Sequence, residues 1–236
     1  MELVRLDKFL SLTRQLSRAD AKRVLRSGAV AVNGVVCKNA DTKVNTQTDT
    51  VLLNGKQIIY EKFVYIMMNK PAGIVSASRD PRERTVVDLV PEDMRRKGLF
   101  PAGRLDKDTT GFVLLTDDGD FAHRILAPGK HVPKTYLVTL ERNVTDAEVK
   151  ALAEGPVLDE EKLLPVSVSI VDAQKNMYHV VLMEGRYHQI KRMFAAQGNP
   201  VHALHRFKMG GLLLDETLSP GACRLLTADE VAQIRE

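Results

Sequence analysis

Apolar positions recur at helical spacing near the front of the chain, where Leu6, Phe9 and Leu10 predict a short helix ending near Leu16. Ser17 then stands where a helix N-cap belongs, with Asp20 at the third helical position in a capping-box arrangement. Gly28 is placed to close this second helix in the left-handed conformation. Ala21, Val24 and Leu25 form its inward stripe. Arg18, Lys22 and Arg26 fall at i, i+4 and i+8, so three like charges share one outer face at a small cost in helix stability. On an isolated helix such a row is a solvated basic face. The period then shortens. Asn33-Gly34 separates Val30-Ala31-Val32 from Val35-Val36, and Asn54-Gly55 separates Val51-Leu52-Leu53 from residues 56–59. Each predicts a short hairpin with a primed turn.

Beyond a linker at Tyr60-Glu61-Lys62, residues 64–68 predict a strand entering the loop Asn69-Lys70-Pro71-Ala72-Gly73, and the polar run 76–84 reads as a flexible basic loop. Phe112-Val113-Leu114-Leu115 reads as a buried strand. Asp117-Asp118-Gly119 then opens a helix to about Leu126, stopped by Pro128-Gly129. Residues 134–140 alternate as a strand, 143–154 predict a helix, and strands follow near 165–171 and 178–183. After Gly185 a helix starts near Tyr187 or His188, with Ile190, Met193, Phe194 and Gln197 on one side, and Gly198 stops it. His188, Lys191 and Arg192 share the other side. Thr227 and Glu230 form a second capping box for a terminal helix that carries Val231 and Ile234 inward. Strands and helices mix without a steady strand-helix-strand beat, which predicts an α+β domain on a mixed or antiparallel sheet.

Composition narrows the class. The 236 residues are 44% hydrophobic and 27% charged, ordinary for a globular protein with a sizeable core. Two cysteines suggest no disulfide framework, and neither a bilayer-length apolar stretch nor a secretory signal is visible, so a cytoplasmic protein with no membrane partner is expected. The net charge of +4 is unevenly placed: residues 1–60 hold 10 Lys+Arg against 5 Asp+Glu, while residues 61–236 hold 24 against 25. A small basic unit, 1–60, on a nearly neutral body, 61–236, points to a polyanion-binding module.

Candidate chemistry gathers in the run 103–111, where Asp106 sits in a Gly-bounded turn with Arg104 two residues earlier. A carboxylate on a rigid loop beside positive charge can stay ionised in a partly dry pocket, as a nucleophile or base must. Asp is also common in surface turns for backbone reasons alone, and spacing by itself favours that plainer reading. The run lacks the Gly-Lys-Ser/Thr ending of a phosphate loop. Cys37, Cys223 and the scattered His188, His202 and His205 show no metal-ligand spacing, so no metal is expected.

Arg104-Leu105-Asp106 followed by Thr109-Thr110-Gly111 and an apolar strand resembles the active-site signature of the pseudouridine synthases that act on ribosomal RNA. The segment Arg5-Leu6-Asp7-Lys8-Phe9-Leu10, through Ser17-Arg18 to 28–34, resembles the S4 RNA-binding domain, whose helix pair meets RNA phosphates and shape. The resemblance implies isomerisation of uridine to pseudouridine: the N1–C1′ bond breaks, the base turns, and C5 bonds to C1′. It makes Asp106 the acting group, as nucleophile or as base for a sugar proton, two routes the sequence leaves open. It makes Tyr136, in Lys134-Thr135-Tyr136, a residue that stacks on the flipped base or assists a proton transfer; alternation alone reads Tyr136 as packing. It gives Asp106 a basic partner, matched by Lys191 with Arg192 as fallback. RNA contacts are expected from Arg18, Lys22 and Arg26 in front, from the basic loop 76–84, and from Arg104, Arg186, His188 and Arg192 at the site. Tyr187-His188-Gln189, Leu204-His205-Arg206, Gly210-Gly211 and Pro220-Gly221 resemble the A-type branch of the small-subunit enzymes. That implies 16S rRNA or an assembly intermediate of the small subunit as the substrate, with 23S rRNA as the alternative; separately, a monomer is expected. A non-catalytic S4-type RNA-binding or ribosome-assembly protein is the reading from another class. A nucleoside or glycoside hydrolase is weaker, because such enzymes usually place two carboxylates around the bond.

Overall fold

The computed structural model describes residues 3–14, 16–127 and 132–235. Contacts divide the chain into two compact units, Met1–Val64 and Tyr65–Glu236. No helix among the described residues is long and apolar enough to cross a membrane.

In the front unit the helices are Leu6–Arg14 and Arg18–Arg26. The hydroxyl of Ser17 accepts from the backbone N–H of Asp20 and donates to that residue's carboxylate at 2.6 Å, and Gly28 ends the helix at φ +81°. Both primed turns form, with Asn33 at φ +50° and Asn54 at φ +48°. They join four short strands in the order Val35–Val36, Val30–Val32, Val51–Leu53, Lys56–Ile58. A further pair, Leu3–Arg5 with Lys43–Asn45, was not signalled by the sequence pattern because each strand is three residues long. Leu6, Phe9, Leu10, Ala21, Leu25, Val30, Val44, Val51 and Ile58 form the core.

The second unit is built on one mixed sheet. Its main path runs Ser167–Asp172, Met177–Leu182, Lys134–Leu140, Val201–Met209, Thr110–Thr116, Tyr65–Lys70, Cys223–Leu225. Neighbours are antiparallel except at the centre, where Thr110–Thr116 and Val201–Met209 run parallel. There Gly111, at φ +102°, lies so close to its neighbour that a Cβ would come within 2.2 Å of the Arg206 carbonyl oxygen. Helices Gly119–Leu126 and Ala228–Gln233 cover a core of Met67, Phe112, Leu114, Phe121, Ile125, Met209, Val231 and Ile234. Asp118 caps the first of these helices, accepting from the N–H of Phe121 at 2.9 Å and from the hydroxyl of Tyr65 at 2.6 Å. Thr227 and Glu230 form the capping box of the second. The expected stop at Pro128-Gly129 lies outside the described residues.

Two expectations change. The loop 76–84, read as flexible and basic, is turned by Asp80, whose carboxylate accepts from the N–H groups of Arg82 and Glu83 at 2.9 and 3.0 Å. It is rooted by pairing of Val75 with Thr85. The helix expected from Tyr187 or His188 is Gln189–Ala196, and His188 lies just outside it in the left-handed conformation at φ +48°. Gln189 causes the delay. Its side chain accepts from the N–H of Arg186 at 2.9 Å and donates to the buried Glu184 at 3.0 Å, fixing a turn before the helix begins.

Candidate active site

Asp106 sits on the connection between strands Phe100–Pro101 and Thr110–Thr116. The connection is fastened from below. Leu105, buried, donates its N–H to the Ser76 hydroxyl at 3.1 Å, and the N–H of Thr109 closes a turn onto the Asp106 carbonyl at 3.1 Å. The Gly73 N–H reaches the Lys107 carbonyl at 2.7 Å. The fully buried ammonium of Lys70 donates to the carbonyls of Pro71, Lys107 and Thr109 at 3.0, 3.1 and 2.7 Å. Burial pushes Lys70 down to about 8, against the pull of Asp108 and Asp106 and with the help of Lys191. Three carbonyls held by one ammonium leave the backbone around Asp106 little freedom.

The partners come from a different part of the sheet. Because His188 precedes the helix in a left-handed turn, its ring reaches back, with Nε2 3.4 Å from Asp106 Oδ1. Lys191, one turn on, places Nζ 3.2 Å from Asp106 Oδ2 and 2.5 Å from Asp108 Oδ1. Burial lowers the Lys191 ammonium, but hydrogen bonds to Asp108 and Asp106 outweigh it and raise the group; the same contact holds Asp108 below the usual carboxylate range. Tyr136 is buried on the strand Lys134–Leu140 and its neighbours in the cleft include Leu182 and Leu204. Together Arg104, Asp106, Tyr136, Arg186, His188 and Lys191 line one open cleft.

Other expected residues stand differently. Arg192, the fallback partner of Asp106, turns away and pairs with Asp159, so the three cations expected on one helix face divide: Lys191 and His188 converge on Asp106 and Arg192 does not. Arg186 lines the cleft but is engaged by Glu161 at 3.1 Å and Glu184 at 3.6 Å. Arg104 is exposed at the rim and makes no ion pair among the described residues. In the front unit Arg18, Lys22 and Arg26 are exposed, with Arg18 3.8 Å from the buried Asp7. No group of three or more His, Cys, Asp or Glu side chains among the described residues is placed to hold a metal.

Sequence reasoning missed the part taken by Lys70 and Asp108. Lys70 stood in the loop 69–73 and Asp108 in the run 103–111, but nothing in a linear pattern says that a lysine is buried beneath the loop or that a second carboxylate competes for the same ammonium. Arg206 was missed too. It is 1% exposed, donates Nε–H to the Phe112 carbonyl at 2.8 Å, and lies with its guanidinium carbon 6.0 Å from the Tyr136 ring centre.

Residues 64–196 match the RNA pseudouridylate synthase family, and residues 4–51 match the S4 domain. The chain is 42% identical to a protein of Bacillus subtilis strain 168 named uncharacterized RNA pseudouridine synthase YtzG, over 99% of both chains. It is 45% identical to the ribosomal small subunit pseudouridine synthase A of Pasteurella multocida strain Pm70, covering 97% of this chain and 98% of that one. A crystal structure of a pseudouridylate synthase superposes with a TM-score of 0.68 at 40% identity, covering 98% of this chain and 99% of that one.

Proposed function

Because the chain belongs to the RNA pseudouridylate synthase family, we propose that it converts a uridine of small-subunit (16S) ribosomal RNA to pseudouridine in the cytoplasm, with Asp106 as the acting carboxylate. The observation that carries this site is convergence: Lys191 at 3.2 Å and His188 at 3.4 Å meet Asp106 at the cleft that Tyr136 also lines. A partly buried carboxylate held by the Lys191 ammonium, with the His188 ring beside it, stays placed and ready to act. The small-subunit substrate is supported by the names of full-length relatives such as that of Pasteurella multocida.

In this reading the target uridine leaves its stack, at a cost of a few kcal/mol, and its base lies against Tyr136. Asp106 either forms a bond to C1′ or takes a sugar proton. On both routes the N1–C1′ electron pair departs with the base, which turns and bonds through C5. The unit 61–236 is the catalytic domain and needs no cofactor. The unit 1–60 holds RNA through Arg18, Lys22 and Arg26; Arg104, Arg186 and His188 meet RNA at the cleft, and Arg192, turned toward Asp159, meets it outside the cleft.

The test is Asp106→Asn in the full chain, assayed for pseudouridine and for RNA affinity on assembly intermediates of the small subunit. Product formation is lost while affinity stays within a few-fold. Unchanged product would remove Asp106 from its role, modified uridines only in 23S rRNA would replace the substrate, and binding without product by the unaltered protein would leave an assembly factor.

A further inference from the structure

Beneath the cleft lies a charge that the chain does not neutralise. Arg206 is 1% exposed, yet its guanidinium makes no ion pair among the described residues. Among the described residues its single hydrogen bond is from Nε to the Phe112 carbonyl, and the buried Nη2 has no partner there. A buried guanidinium without a carboxylate is expensive, and an orphaned buried donor asks for a reason. Lys134, on the strand of Tyr136, is a second buried cation whose ammonium, among the described residues, donates only to the Val132 carbonyl at 3.0 Å. Burial, reinforced by Arg206, pushes it down to about 8. Positive charge therefore accumulates here against its own solvation cost.

The place is informative. Arg206 is directly opposite Tyr136 in the antiparallel pairing, so both side chains emerge on the same face of the sheet. Leu204, two residues before Arg206 on its strand, lines the cleft, and alternation puts Arg206 on that same face. Arg206 is thus the layer under the cleft floor, covered by the Tyr136 ring at 6.0 Å, which is within cation–π reach.

We propose that Arg206 is a positioning residue for the reaction: it fixes the Tyr136 ring from below and supplies positive potential where the departing uracil becomes an anion. This rests on the function proposed above. The charge balance favours it on either route. If Asp106 attacks C1′, its carboxylate becomes a neutral ester; if it removes the sugar proton, it becomes a neutral acid. In both cases the N1–C1′ pair leaves with the base, so one negative charge leaves Asp106, beside Lys191, and appears on the uracil above Tyr136. A fixed cation beneath that base stabilises the product of charge transfer more than the neutral ground state, which raises kcat and leaves KM little changed.

The test compares Arg206→Met and Arg206→Lys in the full chain, on an RNA that the unaltered protein converts. Methionine removes a buried unpaired charge, so Tm holds or rises. Single-turnover kcat falls about tenfold or more, KM stays within about twofold, and Arg206→Lys recovers most of the rate. An unchanged kcat in Arg206→Met overturns the proposal. So does a loss of rate that tracks Tm equally in both variants, because that is a packing role. If Arg206→Met does not fold, Arg206→Lys is compared with Arg206→Gln, and the charge-keeping variant must be the faster at equal Tm. Absence of product from the unaltered protein would be a failure of the proposed function, and is read from the control alone.

Discussion

Lys191 reaches Asp106 from a helix 85 positions further along the chain, with Nζ 3.2 Å from Oδ2, and its other contact, with Asp108 at 2.5 Å, is the shorter. One ammonium thus spans two carboxylates two residues apart. Asp108 is largely exposed, whereas Asp106 is mostly covered at the cleft. Screening weakens the outer contact more than the inner one. Lys191→Met is expected to lower the rate of pseudouridine formation roughly 10–100-fold, the worth of a charge-assisted hydrogen bond of about 1.5–3 kcal/mol. Asp108→Asn should change it only a few-fold, since it releases Lys191 to Asp106 alone. Single-turnover assays of both variants check this, and an Asp108→Asn loss as large as that of Lys191→Met would make Asp108 the group that matters.

Lys70 acts through the backbone. Replacing it by Met removes this donor from the carbonyls of Pro71 and Thr109, while the Gly73 N–H still reaches that of Lys107, and each unpaired buried acceptor costs about 1–3 kcal/mol. Lys70→Met should lower both Tm and kcat. A second signature comes from titration. With the folded value near 8 and the usual value at 10.5, the unfolded chain binds the extra proton between those limits, so this group makes stability rise with pH from 8 to 10.5. Thermal unfolding across that window should show a smaller rise in Lys70→Met.

Acid stability has a separate handle in the second unit. Glu148 closes the capping box of the helix Asp146–Ala153 and pairs with Arg142. The Arg142 guanidinium, despite opposing burial and with help from Thr145, holds Glu148 down at about 2. A carboxylate depressed in the folded state stabilises above its usual value of 4.5, and that stabilisation is lost as pH falls toward 2. Glu148→Gln should therefore lower Tm at pH 7 and approach the unaltered protein at pH 2.5. A gap of equal size at both pH values would mean that the ionised form is not what stabilises.

The front helix makes a prediction about salt. Reversing Arg18, Lys22 and Arg26 to Glu should weaken RNA binding and flatten the dependence of log K on log salt by up to about 0.7–0.9 per lost phosphate contact. Arg18, at 3.8 Å from Asp7, should contribute least of the three. An unchanged slope by filter binding at several salt concentrations would move the RNA face elsewhere.

Local rules recovered the elements whose signals are local. Ser17, Thr227 and the Asn-Gly turns act within a few residues of themselves: the turns and the Thr227 box form as the pattern predicts, and Ser17 caps its helix, although Asp20 meets the Ser17 hydroxyl and does not complete the box. The family resemblance placed Asp106, Tyr136 and Lys191, which the structure gathers at one cleft, although spacing alone would have made Asp106 a turn residue and Tyr136 packing. What stayed illegible depends on distant partners. The central strand Val201–Met209 carries two histidines, an arginine and a lysine, and it buries Arg206 from its more polar face, so its pattern does not mark a central strand, and its place in the sheet is fixed by pairing with strands far away in sequence. The divergence of Arg192 toward Asp159 follows from the hairpin of strands Val157–Leu158 and Glu161–Lys162, and helical spacing on Gln189–Ala196 could not reveal it. A buried cation such as Arg206 looks like any surface arginine until the layer above it is known.

Gly111 tests the centre of the sheet, where the Asp106 connection joins its strand. Any side chain there meets two penalties at once. The backbone at φ +102° is one that residues with a Cβ rarely adopt, a strain of about 1–3 kcal/mol. The added carbon would also sit 2.2 Å from the Arg206 carbonyl oxygen and 2.9 Å from the Arg206 carbonyl carbon and amide nitrogen. Backbone cannot swing aside as a side chain can, so the parallel pairing of Gly111 with Arg206 must open, adding about 1–3 kcal/mol of overpacking. Gly111→Ala should therefore cost roughly 2–6 kcal/mol and lower Tm by about 4–24 °C, at about 2–4 °C per kcal/mol for a chain of this size. Because the two strands carry the Asp106 connection and the Arg206 layer beneath Tyr136, activity should fall even at temperatures where the variant is fully folded. Calorimetry together with a rate measurement well below Tm decides it. A variant as stable and as fast as the unaltered protein would mean that the strands do not approach this closely in solution.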